Sequence, residues 1–296
     1  MSGENPEPFR AGGDNNESAF AYCLDELRRE DRDRYLTLLF APRPTRPALA
    51  ALYSFNLECA RGVTAGGEQP LLGQMRLQWW RDALATRARR AENVGGDAAR
   101  DNQPVLTLLP EDPAFVAQLS ELITAREGDL TGPPFATLDD VVAHACATGG
   151  ALVTLAAEAL GARQVAGARA AGTAYALAGM LRAVPYQLQE RGFQGRLCLP
   201  EDLLVAHDLA IEDIRLGNKA TAVAACMKQV AAAAQRELDD LNAGDAAISP
   251  LLHGTLARAY LHRLAGAGYD PYAPDLGLNP LARPLNLLWR SIVRRP

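Results

Sequence analysis

The chain has 296 residues, with 30 Lys and Arg against 35 Asp and Glu, a formal net charge of −5, and 48% hydrophobic but only 6% aromatic residues. That profile predicts a soluble globular protein with apolar side chains enough for a sizeable core. The acidic balance, with Lys219 and Lys228 as the only lysines, argues against a general attraction to nucleic acid.

Residues 1–17 are rich in Gly, Asn, Glu and Pro and lack periodicity, which predicts a disordered leader. They show neither a basic and then apolar secretory pattern nor an Arg-rich amphipathic one, so the expected location is the reducing cytoplasm. Ser18 is placed to cap a helix over 18–40, and Pro47 sits near the first turn of another over 46–62. A third is expected over 69–91, and Phe115, Leu119 and Leu122 mark the buried stripe of one over 113–128. Thr137 and Asp140 form a T-x-x-D capping box that opens a helix over 137–161. Its weakly charged part, 141–162, contains His144, Glu158 and a Gly-Gly pair, and reads as a buried helix rather than a membrane span.

The helix expected over 163–190 is rich in Ala and Gly, which permits close backbone approach or a cavity lined by larger neighbours. Val223, Met227, Val230, Ala234, Leu238 and Leu241 stripe a helix over 219–242, and helices over 249–266 and 284–294 complete the chain. No pair of period-2 runs is joined by a hairpin dipeptide, and no repeat or linker divides the sequence. The expected architecture is all-α, one domain over 18–296. Five cysteines, Cys23, Cys59, Cys146, Cys198 and Cys226, lie far apart without a C-x-x-C pair or nearby histidine pair, so neither a disulfide framework nor a zinc site is written in the spacing.

Four segments carry a family resemblance. They are Tyr35 to Pro42 followed by Arg46 to Arg61; Met75-Arg-Leu-Gln-Trp-Trp-Arg-Asp82; Arg126-Glu-Gly-Asp-Leu130 with Thr148-Gly-Gly-Ala-Leu-Val-Thr-Leu155; and Gly179-Met-Leu-Arg-Ala-Val184 leading to Gly195-Arg-Leu-Cys-Leu-Pro200. Together they resemble the squalene/phytoene synthase family over roughly residues 18 to 295. The resemblance implies the isoprenoid-synthase helical bundle with a central cavity, whose active members join prenyl diphosphates head to head. Such a reaction needs Mg²⁺ to activate the diphosphate, and hard cations need carboxylates spaced a helical turn apart.

In active members the first acidic motif reads Y-x-F-x-R-x-x-D-D-x-x-D. Here Tyr53 and Phe55 match, but Leu57 replaces the Arg, and Ala60, Arg61 and Thr64 replace the acids. The second, N-I-L-R-D-V-x-E-D, keeps Leu181, Arg182 and Val184, while Ala183, Tyr186 and Gln187 stand where the acids belong. The loss is also visible without any family, since no Asp or Glu lies between Glu158 and Glu190 and Glu58 has no acid at i+3 or i+4. Within the family the phrases Phe55 to Ala60, Met75 to Trp80, Arg126 to Leu130 and Leu181 to Tyr186 are similar to a non-catalytic branch, the mitochondrial respiratory complex I assembly factors with a squalene/phytoene-synthase-like domain.

The resemblance therefore implies a catalytically silent protein acting by binding in complex I biogenesis, without metal or cofactor. The enzyme alternative, a prenyl transferase with Mg²⁺, requires Glu58, Glu127, Asp129 and Glu201 to converge on one cavity. A third reading is an isoprenoid or lipid carrier. Arg182 and Arg196 are candidates for an anionic head group, against a bland role as buried arginines paired to a carbonyl or to Glu201. Asp139-Asp140 reads as N-terminal helix charge, Glu237 with Asp239-Asp240 as a solvated face, and His144, His207, His253 and His262 as satisfied histidines. Trp79 and Trp80 are about 100° apart on a helix, so one is expected to pack inward and the other to form a rim contact, unless a neighbouring helix partly covers both. The C-terminal segment carries Leu285, Leu288, Trp289 and Ile292 on one side and Arg290, Arg294 and Arg295 beside them. It either lies in a membrane interface on the inner face of the cytoplasmic membrane or packs that stripe on the bundle.

Overall fold

The computed structural model describes residues 13–65, 69–92, 103–189, 196–239, 241, 248–273 and 276–293. The first half is built from α1 (Gly13–Glu30), α2 (Arg32–Leu38), a 3₁₀ turn at Arg43–Thr45, α3 (Arg46–Ala65), α4 (Pro70–Glu92), α5 (Pro104–Leu108) and α6 (Pro113–Thr131). The second half comprises α7 (Leu138–Ala145), a π-helical segment at Cys146–Gly150, α8 (Ala151–Ala159), α9 (Ala166–Gln189), α10 (Glu201–Ala206), α11 (Ile211–Arg215), α12 (Ala220–Asp239), α13 (Ile248–Gly266) and α14 (Ala282–Val293). Among the described residues there is no strand.

Helix starts follow the capping chemistry. The Thr137 hydroxyl accepts the Asp140 N–H at 3.2 Å while the Asp140 carboxylate accepts the Thr137 N–H at 2.9 Å, the expected reciprocal box. The single helix expected over 18–40 is instead two, and its first part begins at Gly13. Asp31 leaves helical geometry at φ −136° and accepts the Arg34 N–H at 3.1 Å, so it ends one helix and caps the next. The short helices α5, α10 and α11 were not expected, because five or six residues are too few to display a periodicity.

Two large apolar clusters form most of the core, beside a small one of Val153, Ala157 and Ala168. One gathers Leu27, Leu52, Phe55, Leu77, Trp80, Leu119 and Leu122 from the first half; the other gathers Val141, Leu177, Leu181, Met227, Val230, Leu252, Leu256 and Leu287 from the second. Each fully buried side chain of this size contributes roughly 1.5–3 kcal/mol, against about 0–1 kcal/mol for an exposed ion pair, so burial decides the arrangement. The segment 138–159 is long and apolar enough to cross a bilayer; here it is packed inside the bundle, with Leu152 to Ala157 buried. All five cysteines are free.

The central helix α9 lies against the π segment at a separation that only glycine permits. A Cβ at Gly172 would fall 2.3 Å from the Gly149 carbonyl oxygen, and one at Gly149 would fall 2.6 Å from the Ala176 Cβ. The small residues of α9 therefore serve close approach on this side, and further along the same helix they leave a cavity. Asp33 on α2 ties the chain ends to the core. It accepts hydrogen bonds from the Tyr260 hydroxyl at 2.6 Å, the Tyr175 hydroxyl at 3.0 Å and Arg283 at 2.8 Å, so α9, α13 and α14 converge on one buried carboxylate.

Candidate functional site

A cavity of about 360 Å³ opens between α3, α6, the π segment and α9. From α3 it receives Ala60 and Val63, and from α9 it receives Gly179, Met180, Ala183 and Gln187. These include positions where the family's motifs carry their carboxylates, so the two degenerate motifs face each other across one space. Arg34, Arg126 and Arg196 supply its cations, with Asp129, His144, Thr148 and Tyr175 beside them.

Among the described residues Asp129 is the one acid in this lining. His144 Nε2 donates to it at 3.0 Å and Arg126 at 3.4 Å. Burial alone would raise the Asp129 pKa; the His144 hydrogen bond and the Arg126 charge outweigh it and hold the carboxyl below its ordinary value. Arg126 also donates to the Asn56 side chain at 3.3 Å, while its Nε is buried without a hydrogen-bond partner. Arg34 pairs with Asp31 and stands over the Tyr175 ring at 5.3 Å, its Nε likewise buried and unpartnered. Arg196 donates through Nε to the Pro133 carbonyl at 2.7 Å and lies over the Phe135 ring at 4.1 Å. Partners on one edge, side chains for Arg34 and Arg126 and a backbone carbonyl and a ring for Arg196, hold these guanidinium planes, which suits them to a preformed anion site.

The four carboxylates that the enzyme alternative requires do not meet. Asp129 lines the cavity, whereas Glu127, two residues away and so about 200° around α6, pairs with Arg81 at 2.7 Å and faces a separate groove of about 610 Å³. Glu58 is likewise two residues from Ala60 and pairs with Arg61 at 2.7 Å. Arg61, in the place of a motif acid, turns away to Glu26 on α1 at 2.6 Å. Glu201 is exposed in the first turn of α10, its N–H bonded to the Phe135 carbonyl at 2.9 Å. Among the described residues no three His, Cys, Asp or Glu side chains converge as a metal site. A cavity with one already bonded carboxylate and three guanidinium groups does not provide the oxygen ligands Mg²⁺ prefers.

Other candidate positions separate by depth. Tyr53 and Phe55 are fully buried, Tyr53 edge-on to His253 at 5.8 Å and Phe55 edge-on to Trp80 at 5.2 Å. Trp80 is buried while Trp79, 50% exposed, lines the groove beside Glu127 with Met75. Arg182 stacks on the Tyr260 ring at 3.8 Å and is absent from the cavity lining. Tyr186 is 72% exposed. The side chain of Thr64, and Gly195 and Asp240 altogether, lie outside the described residues. Arg34, Arg126, His144 and Tyr175 are not legible in the sequence as one lining; the available signal is the Gly149-Gly150 pair, which lies within the π segment, a distortion common at functional sites.

On α14 only Leu287 is buried, and Arg283 anchors the helix to Asp33. Leu285, Leu288, Trp289 and Ile292 are exposed, so the alternative in which this stripe packs on the bundle is overturned. At 100° per residue the stripe lies opposite Arg283 and Leu287, and those two already satisfy the bundle. Arg294 and Arg295 lie outside the described residues.

An all-α bundle in which two motif helices face each other across a central cavity has the isoprenoid-synthase architecture. A dehydrosqualene synthase solved in complex with ligand matches it with a TM-score of 0.73 at 16% identity, over 95% of this chain and 98% of its own. The squalene synthase HpnC from Alicyclobacillus acidocaldarius matches with a TM-score of 0.70 at 20% identity, over 89% and 100%. Residues 27–288 match squalene/phytoene synthase, and the chain belongs to that family. Its curated relatives include a Drosophila melanogaster protein named NADH dehydrogenase (ubiquinone) complex I, assembly factor 6 homolog, 28% identical over 95% of this chain and 86% of its own. The Mus musculus complex I assembly factor 6 is 26% identical over 96% and 85%.

Proposed function

We propose that this protein acts by binding, without prenyl coupling, as a factor in the assembly of respiratory complex I. The observation that carries the reading is the cavity itself: Ala60, Ala183 and Gln187 stand at motif acid positions, and Arg34, Arg126 and Arg196 dominate its charge. Three arginines against one bonded carboxylate favour a bare anion over a metal-bound diphosphate, so the protein uses no Mg²⁺ and no other cofactor. At about 360 Å³ the space is at the small end of ligand pockets, roughly 300–1,000 Å³, and suits the head of one retained isoprenoid or lipid better than two prenyl diphosphates. The names of the relatives supply the process, and the partners are subunits of complex I.

The same reading places the protein in the cytoplasm, peripheral on the inner face of the cytoplasmic membrane, where it meets a membrane-bound client. The exposed stripe Leu285, Leu288, Trp289 and Ile292 is the contact. Deleting the gene in its native host is expected to lower the amount of fully assembled complex I on native gels, and wild-type protein restores it. Unchanged complex I in the deletion strain overturns the assembly role. Separately, coupling of farnesyl or geranylgeranyl diphosphate by the purified protein with Mg²⁺ at ordinary enzyme rates overturns the non-catalytic reading.

A further inference from the structure

The three guanidinium groups of the cavity between α3 and α9 differ in how their charge is matched. Arg34 pairs with Asp31; burial would lower the Arg34 pKa, and the Asp31 charge leads the causes that raise it instead. Arg126 pairs with Asp129. Among the described residues no carboxylate pairs with Arg196, whose Nε donates to the Pro133 carbonyl and whose plane lies over the Phe135 ring. A Cβ at Gly132, just past the end of α6, would fall 3.2 Å from the Arg196 Cζ, and one at Gly128 3.3 Å from its Nη1. Two glycines therefore leave the space that seats this guanidinium at the cavity wall. With Asp31 and Asp129 matched to their arginines, the charge of Arg196 is the one left uncompensated in the lining.

On the reading of this cavity as a metal-free ligand site, we infer that the head group it holds carries a single negative charge, borne on an apolar tail. Such a head comes either from a lipid phosphodiester or from a fatty-acid carboxylate. A second charge on the head would sit beside the ionised Asp129 without a cation of its own, and a buried charge without a partner is costly. An uncharged head would leave Arg196 unmatched. Arg34 and Arg126, whose Nε–H groups lack a partner, and the neutral Gln187 add hydrogen-bonding capacity without adding net charge. Val63, Met180 and Ala183 supply apolar wall for the start of the tail.

Titration calorimetry of the full-length protein, with a chelator present and at about pH 8, above the ordinary imidazole range, tests the charge. The probes are dihexanoylphosphatidylglycerol and decanoate, each singly charged, and farnesyl diphosphate, which carries more than one charge. Wild type is expected to bind a singly charged probe about tenfold more tightly than farnesyl diphosphate, and whichever of the two singly charged probes binds more tightly assigns the phosphodiester or the carboxylate. Arg196→Gln removes the uncompensated charge and is expected to weaken that binding about tenfold. Gln187→Glu keeps the side chain's size and cancels the same charge, so an equal loss is expected there, which covers the case in which Arg196→Gln fails to fold. Arg81→Gln, at the separate groove, should leave the affinity unchanged. Asp129→Asn adds one positive charge to the cavity's balance and should narrow or reverse the preference against farnesyl diphosphate. Farnesyl diphosphate bound by wild type as tightly as the singly charged probes, unchanged affinity in both Arg196→Gln and Gln187→Glu, an equal loss in Arg81→Gln, or an unchanged preference in Asp129→Asn overturns the inference and leaves the cavity a metal-free ligand site. Binding of none of the three probes overturns the inference and that reading of the cavity together, whereas complex I levels in the deletion strain test the assembly role separately.

Discussion

Asp33 and Asp129 are both carboxylates sunk into the same helical bundle, yet their surroundings leave them different freedom. Asp33 receives donors from α9, α13 and α14, each on a separate helix, and its own helix is a fourth. Asp129 receives Arg126 from its own helix and His144 from α7, and its remaining side opens on the cavity. A buried charge enclosed by donors from several elements becomes a structural fastener, because moving any one element unpairs it. A charge held from one side keeps an accessible face and can tune a ligand site.

The contrast predicts a large loss at Asp33. Asp33→Ala removes the counter-charge of Arg283, which keeps only its bond to the Leu278 carbonyl, and the acceptor of two tyrosine hydroxyls, and is expected to cost about 3–5 kcal/mol in denaturant unfolding. A loss under about 1 kcal/mol would break the comparison.

Next in size is a pH effect between the two centres. His253 is fully buried, edge-on to Tyr53 and Tyr175, and burial followed by the Arg34 charge lowers its pKa from 6.5 to about 4. Its folded value lies below its unfolded one, so its contribution is complete above pH 6.5 and is lost as pH falls toward 4. The loss amounts to about 3 kcal/mol across that window. In His253→Phe the stability curve should lose this slope; an unchanged slope assigns the acid sensitivity elsewhere.

Asp129→Asn should cost less, about 1–2 kcal/mol, and should tighten pyrophosphate binding in the cavity several-fold by removing its negative charge. The Asp129 carboxyl is held below its ordinary value, so its contribution is present above pH 3.8 and fails only as pH drops through the folded value, below the His253 window. Equal anion affinity in wild type and variant would show that Asp129 does not face the ligand. The smallest effect is at Trp289, 64% exposed: Trp289→Ala should change stability by no more than about 0.5 kcal/mol while reducing sedimentation with anionic vesicles at low salt. A stability loss of several kcal/mol there would place α14's apolar stripe in the core.

Much of the fold is legible from spacing because caps and stripes are local. The Thr137 and Asp140 box, the stripe from Val223 to Leu238 and the Pro113 start all occur where the residues indicate. The missed boundary at Asp31 is also local in chemistry, but a carboxylate able to cap a helix and one lying mid-helix look alike until the chain turns. Of the site, the emptied motif positions are readable one by one, at Ala60, Ala183 and Gln187. The arginines that replace their chemistry are not, since Arg34, Arg126 and Arg196 lie some 70 to 90 residues apart from one to the next and meet only when α2, α6 and the segment before α10 are packed.

The sequence by itself determined the helical class, the family, the absence of paired acids on the helix from Ala166 to Gln189, and the amphipathic character of the last helix. Only the tertiary structure decided which way that last helix turns, that Arg182 stacks on Tyr260 while Arg196 lines the cavity, and that Glu127 and Asp129 part company. The physical reason is range: capping and periodicity act within a few residues along the chain, whereas the direction and partner of a charged side chain are set by packing between helices far apart in sequence.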